Sequence, residues 1–398
     1  MKKSPLVVLF FTVFIDLVGF GIVLPLLPTY AKDIGATPLE IGLIAASFSV
    51  MQFFFSPIWG SKSDQIGRRP IILISVAASA ISYLIFSQSD TVALLLISRV
   101  LAGIGSANIS ATQAYITDVT DSANRSKAMG MIGAAFGLGF VLGPPLGGFL
   151  KTFYGISMVG YVATALTLLD LILAFIFLPE SIKEKKPKTK IQLFSFDKML
   201  DAFKRPAVSR IMITNFLFLF AFVNMQVSAA LLWKEYFSVT DQSIGYLFAF
   251  VGVVSVIVQG FLIGKLTKKY GERKVFLLGN IIMALGLIFI PYIPTDSLFS
   301  LGLIFLAMLA IGNGLAVPVS TSLISLYTPH HEQGEILGIS QSVGSFARIL
   351  GPFSGSLLYG VEIHAPYLVG GALVLVGSLV ASTLFQYEVE ITPSSVSS

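Results

Sequence analysis

The chain has 398 residues and a net charge of +5; 55% of its residues are hydrophobic, 12% are charged, and its mean hydropathy is +0.85. No soluble globular domain of this length has that balance, so most of the chain must be solvated by lipid. The basic excess does not indicate a nucleic-acid partner, because lysine and arginine lie in short segments between apolar runs rather than on one soluble face. The absence of cysteine excludes disulfides, zinc–cysteine sites and thiol nucleophiles.

The apolar runs are roughly 20 residues or longer and lack strand alternation, which is typical of transmembrane helices rather than barrel strands. The first run follows Lys2 and Lys3, as a signal peptide would, but it is longer than a signal-peptide core, contains Asp16 and lacks a cleavage site, so we predict a retained helix. The pattern predicts an all-α membrane protein with twelve spans, at residues 6–30, 39–59, 70–88, 91–117, 127–150, 158–178, 207–232, 241–263, 274–294, 297–327, 336–359 and 366–386.

The distribution of basic residues predicts the orientation of these spans. One set of loops holds only Lys32, Lys151 and Lys234, whereas the other loops and the N-terminus hold nearly all the remaining lysines and arginines. Because cytoplasmic loops carry the excess of lysine and arginine, both termini are predicted to be cytoplasmic. We therefore expect a multi-pass protein of the cell inner (plasma) membrane.

One long polar segment divides the chain into two sets of six spans. The boundaries predicted from it are an N-terminal bundle at 1–182, a basic cytoplasmic linker at 183–205 and a C-terminal bundle at 206–398. The linker is expected to be solvated, although its basic run would also suit anionic lipid headgroups.

The two sets of spans repeat each other in sequence. Gly60 and Gly67 after span 2 correspond to Gly264 and Gly271 after span 8, each pair being 204 residues apart. Span 5 contains Gly-Pro-Pro-Leu-Gly from 143 to 147, and span 11 contains Gly-Pro-Phe-Ser-Gly from 351 to 355, 208 residues later. Two independent matches at nearly the same separation indicate a duplicated bundle.

The loop after span 2 reads Gly60-x-x-x-Asp64-x-x-Gly67-Arg68-Arg69 and resembles the signature loop of the major facilitator superfamily. With Asp118 at the end of span 4, its charges are predicted to form a carboxylate–arginine latch that breaks when the bundles rock. An ordinary tight loop is the alternative, and it would explain the glycines but not the spacing of the charges. The second loop has Lys268 and Glu272 in place of the first aspartate and arginine, so we do not expect equal gating there.

Span 5, from Gly137 to Gly148, resembles the motif that marks the proton-coupled drug antiporters of that superfamily. Residues 16–28 in span 1 and the run from Ala111 to Gly130 are similar to its tetracycline-efflux-like branch. The resemblance covers essentially the whole chain and implies two pseudo-symmetric bundles around a central cavity that opens alternately to each side. Glycines four residues apart in span 5 would form a smooth face for close helix packing, and the prolines would bend it, although such packing is also common without a transport role. The motif residues are Gly139, Gly143, Pro144, Gly147 and Gly148.

Charges inside the spans are the sharpest functional signal, because a charge at the bilayer centre costs roughly 2.5–3.5 kcal/mol on insertion scales. Asp16 and Arg99 both fall near the middle of their spans, so we predict that they form a pair whose protonation changes as the cavity opens and closes. The alternative is that Asp16 only pins a glycine-rich helix. Asp170 is either a functional acid or a partner in local structure, and Arg348 either pins a kinked helix or faces the cavity.

Amide side chains inside the spans are candidates for the substrate cavity. With 33 phenylalanines and 13 tyrosines in the chain, the cavity walls are expected to be apolar and aromatic, which suits amphipathic compounds better than free sugars. The candidates are Gln52, Asn108, Gln113, Asn224, Gln226, Asn313 and Gln341.

No phosphate-binding Gly-x-x-x-x-Gly-Lys loop is present, so ATP is not expected to drive the protein, and no enzyme activity, cofactor or metal is predicted. The leading prediction is a monomeric exporter that exchanges protons for small amphipathic or drug-like molecules. The alternative is an exporter or facilitator of a lipid, sugar or other metabolite without proton antiport. A transporter-like receptor without flux is a third possibility.

Overall fold

The computed structural model describes residues 5–120, 122–182, 196–329 and 332–387, and these residues form helices without any β-strand. The all-α prediction is therefore confirmed. In chain order the helices are α1 (Pro5–Val23), α2 (Leu27–Asp33), α3 (Pro38–Ile66), α4 (Arg68–Ser87), α5 (Val92–Gly105), α6 (Ile109–Val119), α7 (Ser122–Tyr154), α8 (Ile156–Phe177), α9 (Phe196–Phe203), α10 (Pro206–Glu235), α11 (Asp241–Ile257), α12 (Ile263–Tyr270), α13 (Glu272–Phe289), α14 (Leu303–Leu326), α15 (Gln333–Val361) and α16 (Ala365–Ser382).

Ten helical segments in the described residues are long and apolar enough to cross a membrane. The helices α7 and α15, with 33 and 29 residues, are also longer than the roughly 20 residues that a bilayer core requires. The chain is a multi-pass membrane protein, while the count of twelve spans stays a prediction.

Three predicted spans are interrupted. Span 1 divides into α1 and α2, because Pro25 lacks a backbone N–H and its ring clashes with the preceding turn of a helix. Span 4 divides into α5 and α6 at a 3₁₀ turn, Ser106–Asn108. Near the end of span 8 a π-helical turn, Val258–Leu262, joins α11 to α12, which continues to Tyr270, beyond the predicted end of the span. The regions of spans 4 and 8 still count as single candidate membrane spans, Val92–Val119 and Asp241–Tyr270, so these turns are local irregularities within them.

The described chain packs as two compact units. Unit 1 consists of Met1–Phe194, Gln226–Val253 and Pro352–Ile363, and unit 2 of Ser195–Met225, Val254–Gly351 and His364–Ser398. Segments of α10, α11 and α15 thus pack with the first set of helices, although they come from the second half of the sequence. The predicted boundaries at 182 and 206 follow the sequence repeat and stay predictions. Of the predicted linker, residues 183–195 lie outside the described residues, and α9 begins directly after them.

Corresponding glycines occupy corresponding places in the two repeats. Gly67 and Gly271 both adopt positive φ, 120° and 80°, and each ends one helix and precedes the next. Gly143 packs α7 against α1, and in unit 2 Gly351 packs α15 against α10, where an added Cβ would lie 3.1 Å from Val223 Cβ. The repeat seen in sequence is therefore also a repeat of packing contacts.

Candidate functional site

The glycines of the span 5 motif let α7 pack directly on the backbone of α1, close to Asp16. An added Cβ at Gly139 would lie 2.7 Å from Leu17 Cβ, and one at Gly143 would lie 2.7 Å from Gly21 Cα. These distances are shorter than any Cβ contact, so only glycine permits this approach. The smooth face thus fixes the position of the α1 helix that carries Asp16.

The opposite side of α7 contacts the beginning of α11, also within unit 1. An added Cβ at Gly148 would lie 3.0 Å from Gln242 Cα, and one at Gly245 would lie 3.1 Å from Pro145 Cα. The motif helix therefore packs between the first helix of the chain and a helix of the second repeat.

Arg99 is buried in α5, with a relative exposure of 2%. Gly103, one turn later, holds α5 against α3, where an added Cβ would lie 2.8 Å from Met51 Cβ. This close packing places the Phe48 ring 5.1 Å from the guanidinium, within range for a cation–π interaction. The Nε of Arg99 has no hydrogen-bond partner, and no carboxylate among the described residues forms an ion pair with Arg99.

The 3₁₀ turn between α5 and α6 leaves backbone carbonyls that side chains satisfy. Trp59 Nε1 donates to the carbonyl of Ile104 at 2.8 Å, and Gln52 Nε2 donates to that of Ser106 at 3.3 Å. Inside a membrane such freed carbonyls need internal partners. Gln52, predicted to line the cavity, thus has a structural bond at the helix break.

The same turn brings Asn108 to Asp16. Asn108 Nδ2 donates to Asp16 Oδ2 at 3.4 Å, while Asp16 Oδ1 is shielded from solvent and has no hydrogen-bond partner. Tyr83 is close enough to interact electrostatically with both Asp16 and Arg99. Its hydroxyl packs over Gly19, where an added Cβ would lie 3.2 Å away. Asp16 therefore contacts an amide and lies near a phenol.

The direct pair predicted between Asp16 and Arg99 is not formed in this structure. Gly103 turns the arginine toward Phe48 on α3, whereas Asp16 is reached by Asn108 beyond the helix break. The sequence placed both charges at the same depth, but the direction of each side chain depends on how α5 packs.

Asp170 lies on the buried face of α8, and its relative exposure is 1%. Neither of its carboxylate oxygens has a hydrogen-bond partner. The Thr12 hydroxyl of α1 lies beside it without the geometry of a hydrogen bond, and Asp16 is close enough for charge repulsion. Arg348 is half-buried, and its Nη2 donates to Ser345 Oγ within α15 at 3.0 Å.

Arg68 organises the loop that carries the signature sequence. It is 7% exposed, and it forms ion pairs with Asp64 at 2.6 Å and with Asp118 at 3.1 Å. Its Nη1 also donates to Ser63 Oγ at 2.6 Å. We call this group the Arg68 cluster; it consists of Ser63, Asp64, Arg68, Asp118, Glu180 and Ser181.

Glu180 and Ser181 complete the Arg68 cluster from the segment after α8. Glu180 Oε1 accepts from the backbone N–H of Arg68 at 2.9 Å, at the N-terminus of α4, where the helix dipole favours an anion. Ser181 Oγ donates to Asp118 Oδ2 at 2.9 Å. Gly67 is needed here because an added Cβ would collide with the Glu180 carboxylate. By contrast Arg69 lies outside the cluster and donates to the carbonyl of Phe175 at 2.6 Å.

A second ionic network lies at the ends of α2, α7 and α10 and the start of α11. Lys151 Nζ is 3.0 Å from Asp241 Oδ1 and 3.6 Å from Asp33 Oδ2, and only 10% of its side chain is exposed. It also donates to Thr29 Oγ1 at 3.3 Å. We call this group the Lys151 network; it consists of Lys32, Asp33, Lys151, Lys234, Glu235 and Asp241.

The other two lysines of the Lys151 network pair across the two repeats. Lys32 Nζ is 2.6 Å from Glu235 Oε1, and Lys234 Nζ is 3.0 Å from Asp33 Oδ2. Tyr359 donates to the second carboxylate oxygen of Glu235 at 3.2 Å. All of these residues belong to unit 1.

Tyr30 of α2 lies beside this network and donates to the carbonyl of Ser89.

The predicted cavity amides have different environments. Asn108 and Asn224 are buried, and Gln226 and Asn313 are half-buried. Gln113 and Gln341 are exposed. Their assignment to a substrate cavity stays a prediction.

The sequence matches the model of the Major Facilitator Superfamily over residues 9–233 and again over residues 211–396. Multidrug resistance protein 2 of Bacillus subtilis (strain 168) is 29% identical over 380 residues, which cover 94% of each chain. Tetracycline resistance protein, class C, of Escherichia coli is 29% identical and covers 94% of this chain and 96% of its own.

Solved structures agree with this assignment. The human organic anion transporter MFSD10 (TETRAN) is 26% identical, with a TM-score of 0.69 over 95% of this chain and all of its own. The nucleoside transporter NupG, at 14% identity and a TM-score of 0.79, shares the fold. The chain belongs to the Major Facilitator Superfamily and is a membrane transporter of small molecules, not an enzyme.

Sequence reasoning missed four contributors to these sites: Thr12, Tyr83, Phe48 and Glu180. A hydroxyl inside a predicted span was the available signal for Thr12 and Tyr83. The lysines of the Lys151 network were used only to orient the spans, although Lys32-Asp33 and Lys234-Glu235 are acid–base dipeptides 202 residues apart, close to the repeat separation.

Proposed function

We propose that the protein is a proton-coupled exporter of small amphipathic compounds. Asp16 carries the proposal, because one of its oxygens is shielded and unpartnered while the other accepts a single long hydrogen bond. Keeping the Asp16 carboxylate ionised in such a place costs free energy, and this cost is avoided if the carboxylate is protonated or if water reaches it. Its protonation would therefore follow the opening of the site to either side of the membrane.

The relatives support export as the direction of transport. They are named multidrug and tetracycline resistance proteins, and about 29% identity extends over nearly the whole chain. We propose that this protein acts in the same way, as a monomer in the plasma membrane with both termini in the cytoplasm, by alternating access of a cavity that includes the predicted amides.

Everted membrane vesicles test the proposal, with tetracycline and the lipophilic dye ethidium as probes. Adding a probe to vesicles that hold a pH gradient should release protons, and Asp16→Asn should abolish this release. Asp90→Asn, which removes an exposed loop acid, is the matched control and should release protons as the unmodified protein does. Full proton release by the Asp16 variant would refute the proposed coupling.

A second function is favoured by Arg99, whose buried guanidinium pairs with no carboxylate of the described chain. It would suit a facilitator or exporter of organic anions that works without proton antiport, in which Arg99 binds the anionic group of the substrate. One structural relative is named a human organic anion transporter. If this second function is correct, transport of an organic anion should continue after the pH gradient is collapsed, and Arg99→Gln should abolish that transport.

A further inference from the structure

Asp170 is a buried acid in α8 that the proposed function does not use. The buried face of α8 also carries Thr164 and Thr167, and both hydroxyls are satisfied within the helix by the carbonyls of Gly160 and Ala163, each at 2.8 Å. Asp170 has no such bond, since both of its oxygens are buried without a partner. A permanently ionised carboxylate in this position would be strongly unfavourable.

Two polar side chains near Asp170, those of Thr12 and Asp16, come from α1. Thr12 lies beside Asp170, and Asp16 is four residues after Thr12, on the same face of α1. The residues next to Thr12 and Asp170 in sequence, Val13 of α1 and Leu171 of α8, are partly buried and pack against the same apolar cluster. Asp16, which is half-buried, and Asp170, which is buried, thus lie near enough to repel each other when both are ionised.

The other charged side chains that the structure describes on the helices packed against α8 lie near its ends. Arg69 of α4 contacts the carbonyl of Phe175, and Lys151 of α7 pairs with Asp33 and Asp241. Tyr83 of α4 interacts with Asp16. In the described part of α1, α4 and α7, no cation forms an ion pair with Asp170 or Asp16.

We propose that Asp170 and Asp16 form one proton-binding pair inside the first bundle, in which one carboxyl holds the proton while the other is ionised. Like charges this close in a low-dielectric site cannot easily both be ionised, so the pair titrates as a unit. Asp170 thereby sets the pH at which Asp16 exchanges its proton. This inference rests on the proposed proton coupling at Asp16.

The test measures the pH dependence of tetracycline-driven proton release in proteoliposomes. Asp170→Asn removes the repulsion, so the midpoint of release should move toward acid, by about one to two pH units if the two charges interact at an effective dielectric near 20. The number of protons released per tetracycline should not change. Asp170→Glu should keep a midpoint near that of the unmodified protein.

Thr167→Val is the matched control, since it alters the same buried face but removes a hydroxyl already bonded to its own helix. Its midpoint should not move. If Asp170→Asn fails to fold, Thr12→Val leaves both acids in place and should move the midpoint toward alkali, because the ionised form loses a polar neighbour. If the midpoint of proton release is unchanged in a folded Asp170→Asn protein, or in Thr12→Val, the proposed pair of Asp170 and Asp16 is wrong.

The same measurements separate this inference from the proposed function. If Asp16→Asn still releases protons, both the coupling at Asp16 and the pair are wrong. If Asp16→Asn abolishes release while the Asp170→Asn profile superimposes on that of the unmodified protein, coupling at Asp16 stands and only the pair is wrong.

Discussion

The Arg68 cluster and the Lys151 network use the same chemistry in different ways. Every partner of Arg68 in the described chain comes from the first repeat, so the cluster joins the ends of α3, α4, α6 and α8 to one another. The Lys151 network instead joins residues of both repeats, because Lys32 pairs with Glu235, and Lys234 with Asp33. The ionic contacts of the Arg68 cluster therefore brace the helices of the first repeat, whereas those of the Lys151 network link the two repeats.

The Lys151 network has the exchange of partners expected from a duplicated chain. Lys32-Asp33 and Lys234-Glu235 occupy nearly equivalent positions, and each lysine pairs with the acid of the other dipeptide. A two-fold relation generates such reciprocal contacts, as it does at the interface of a symmetric dimer. We propose that these pairs break when α10 and α11 separate from the first helices during transport.

Among the described residues, the loop after span 8 forms no ion pairs like those of the Arg68 cluster; Arg273 lies instead over the ring of Tyr327, which donates to the carbonyl of Tyr387. Gly271 has the positive φ of Gly67, but an added Cβ there would meet no atom within 4 Å, whereas at Gly67 it would meet Glu180. Lys268 and Glu272 replace the acid and arginine of the first loop. The latch predicted from sequence therefore stays a prediction, and the contacts of Arg68 favour a brace.

The largest effect is expected when the brace is removed. Arg68→Met leaves Asp64 and Asp118, whose side chains are 29% and 27% exposed, without their shared cation, and each lost charged hydrogen bond costs about 1.5–3 kcal/mol. We expect this variant to have a lower Tm in detergent. The side of the membrane to which the predicted substrate cavity opens should change little. Arg69→Met is the matched control and should lower Tm less, since Arg69 contacts only a carbonyl and a ring. Equal losses for the two variants would argue against the brace.

A smaller loss of stability but a clear change of conformation is expected for Lys151→Met. It removes charged hydrogen bonds worth about 1.5–3 kcal/mol and leaves Asp33 and Asp241 facing each other. Contacts between the repeats should therefore open more often.

A cysteine reporter measures this opening, because the chain contains no other cysteine. Ser356 is 1% exposed and donates to the carbonyl of Pro38, so Ser356→Cys should react with a polar maleimide only when that contact opens. Lys151→Met should raise the labelling rate. Lys204→Met, at a lysine 76% exposed, should leave the rate unchanged. Labelling that is equally slow in both would contradict the linking role.

The smallest effect is expected for the pair of Lys32 and Glu235, whose side chains are 50% and 35% exposed. Exposed pairs contribute about 0.2–1 kcal/mol and are screened by salt. A double-mutant cycle with Lys32→Met and Glu235→Gln should show this small coupling in Tm at low ionic strength and lose it at high salt. The loss of Tm caused by Arg68→Met should persist at high salt. If the coupling between Lys32 and Glu235 is the same at low and high salt, the pair is not screened and this prediction is wrong.

The sequence by itself determined the class of protein and its duplication. Hydropathy and length are local properties of a chain in lipid, so they predicted membrane helices, and the glycines spaced four apart in span 5 predicted a smooth helical face. The family follows from residues that stand close together in the chain, such as those from Gly60 to Arg69.

Only the tertiary structure decided which side chains meet. The sequence placed Asp16 and Arg99 at one depth, but the packing of Gly103 turned Arg99 to Phe48, and the turn at 106–108 brought Asn108 to Asp16. Likewise, three scattered lysines became one network because α2, α7 and α10 end together. The physical reason is that helical periodicity defines a face of each helix, whereas rotation and packing against neighbouring helices decide what that face contacts.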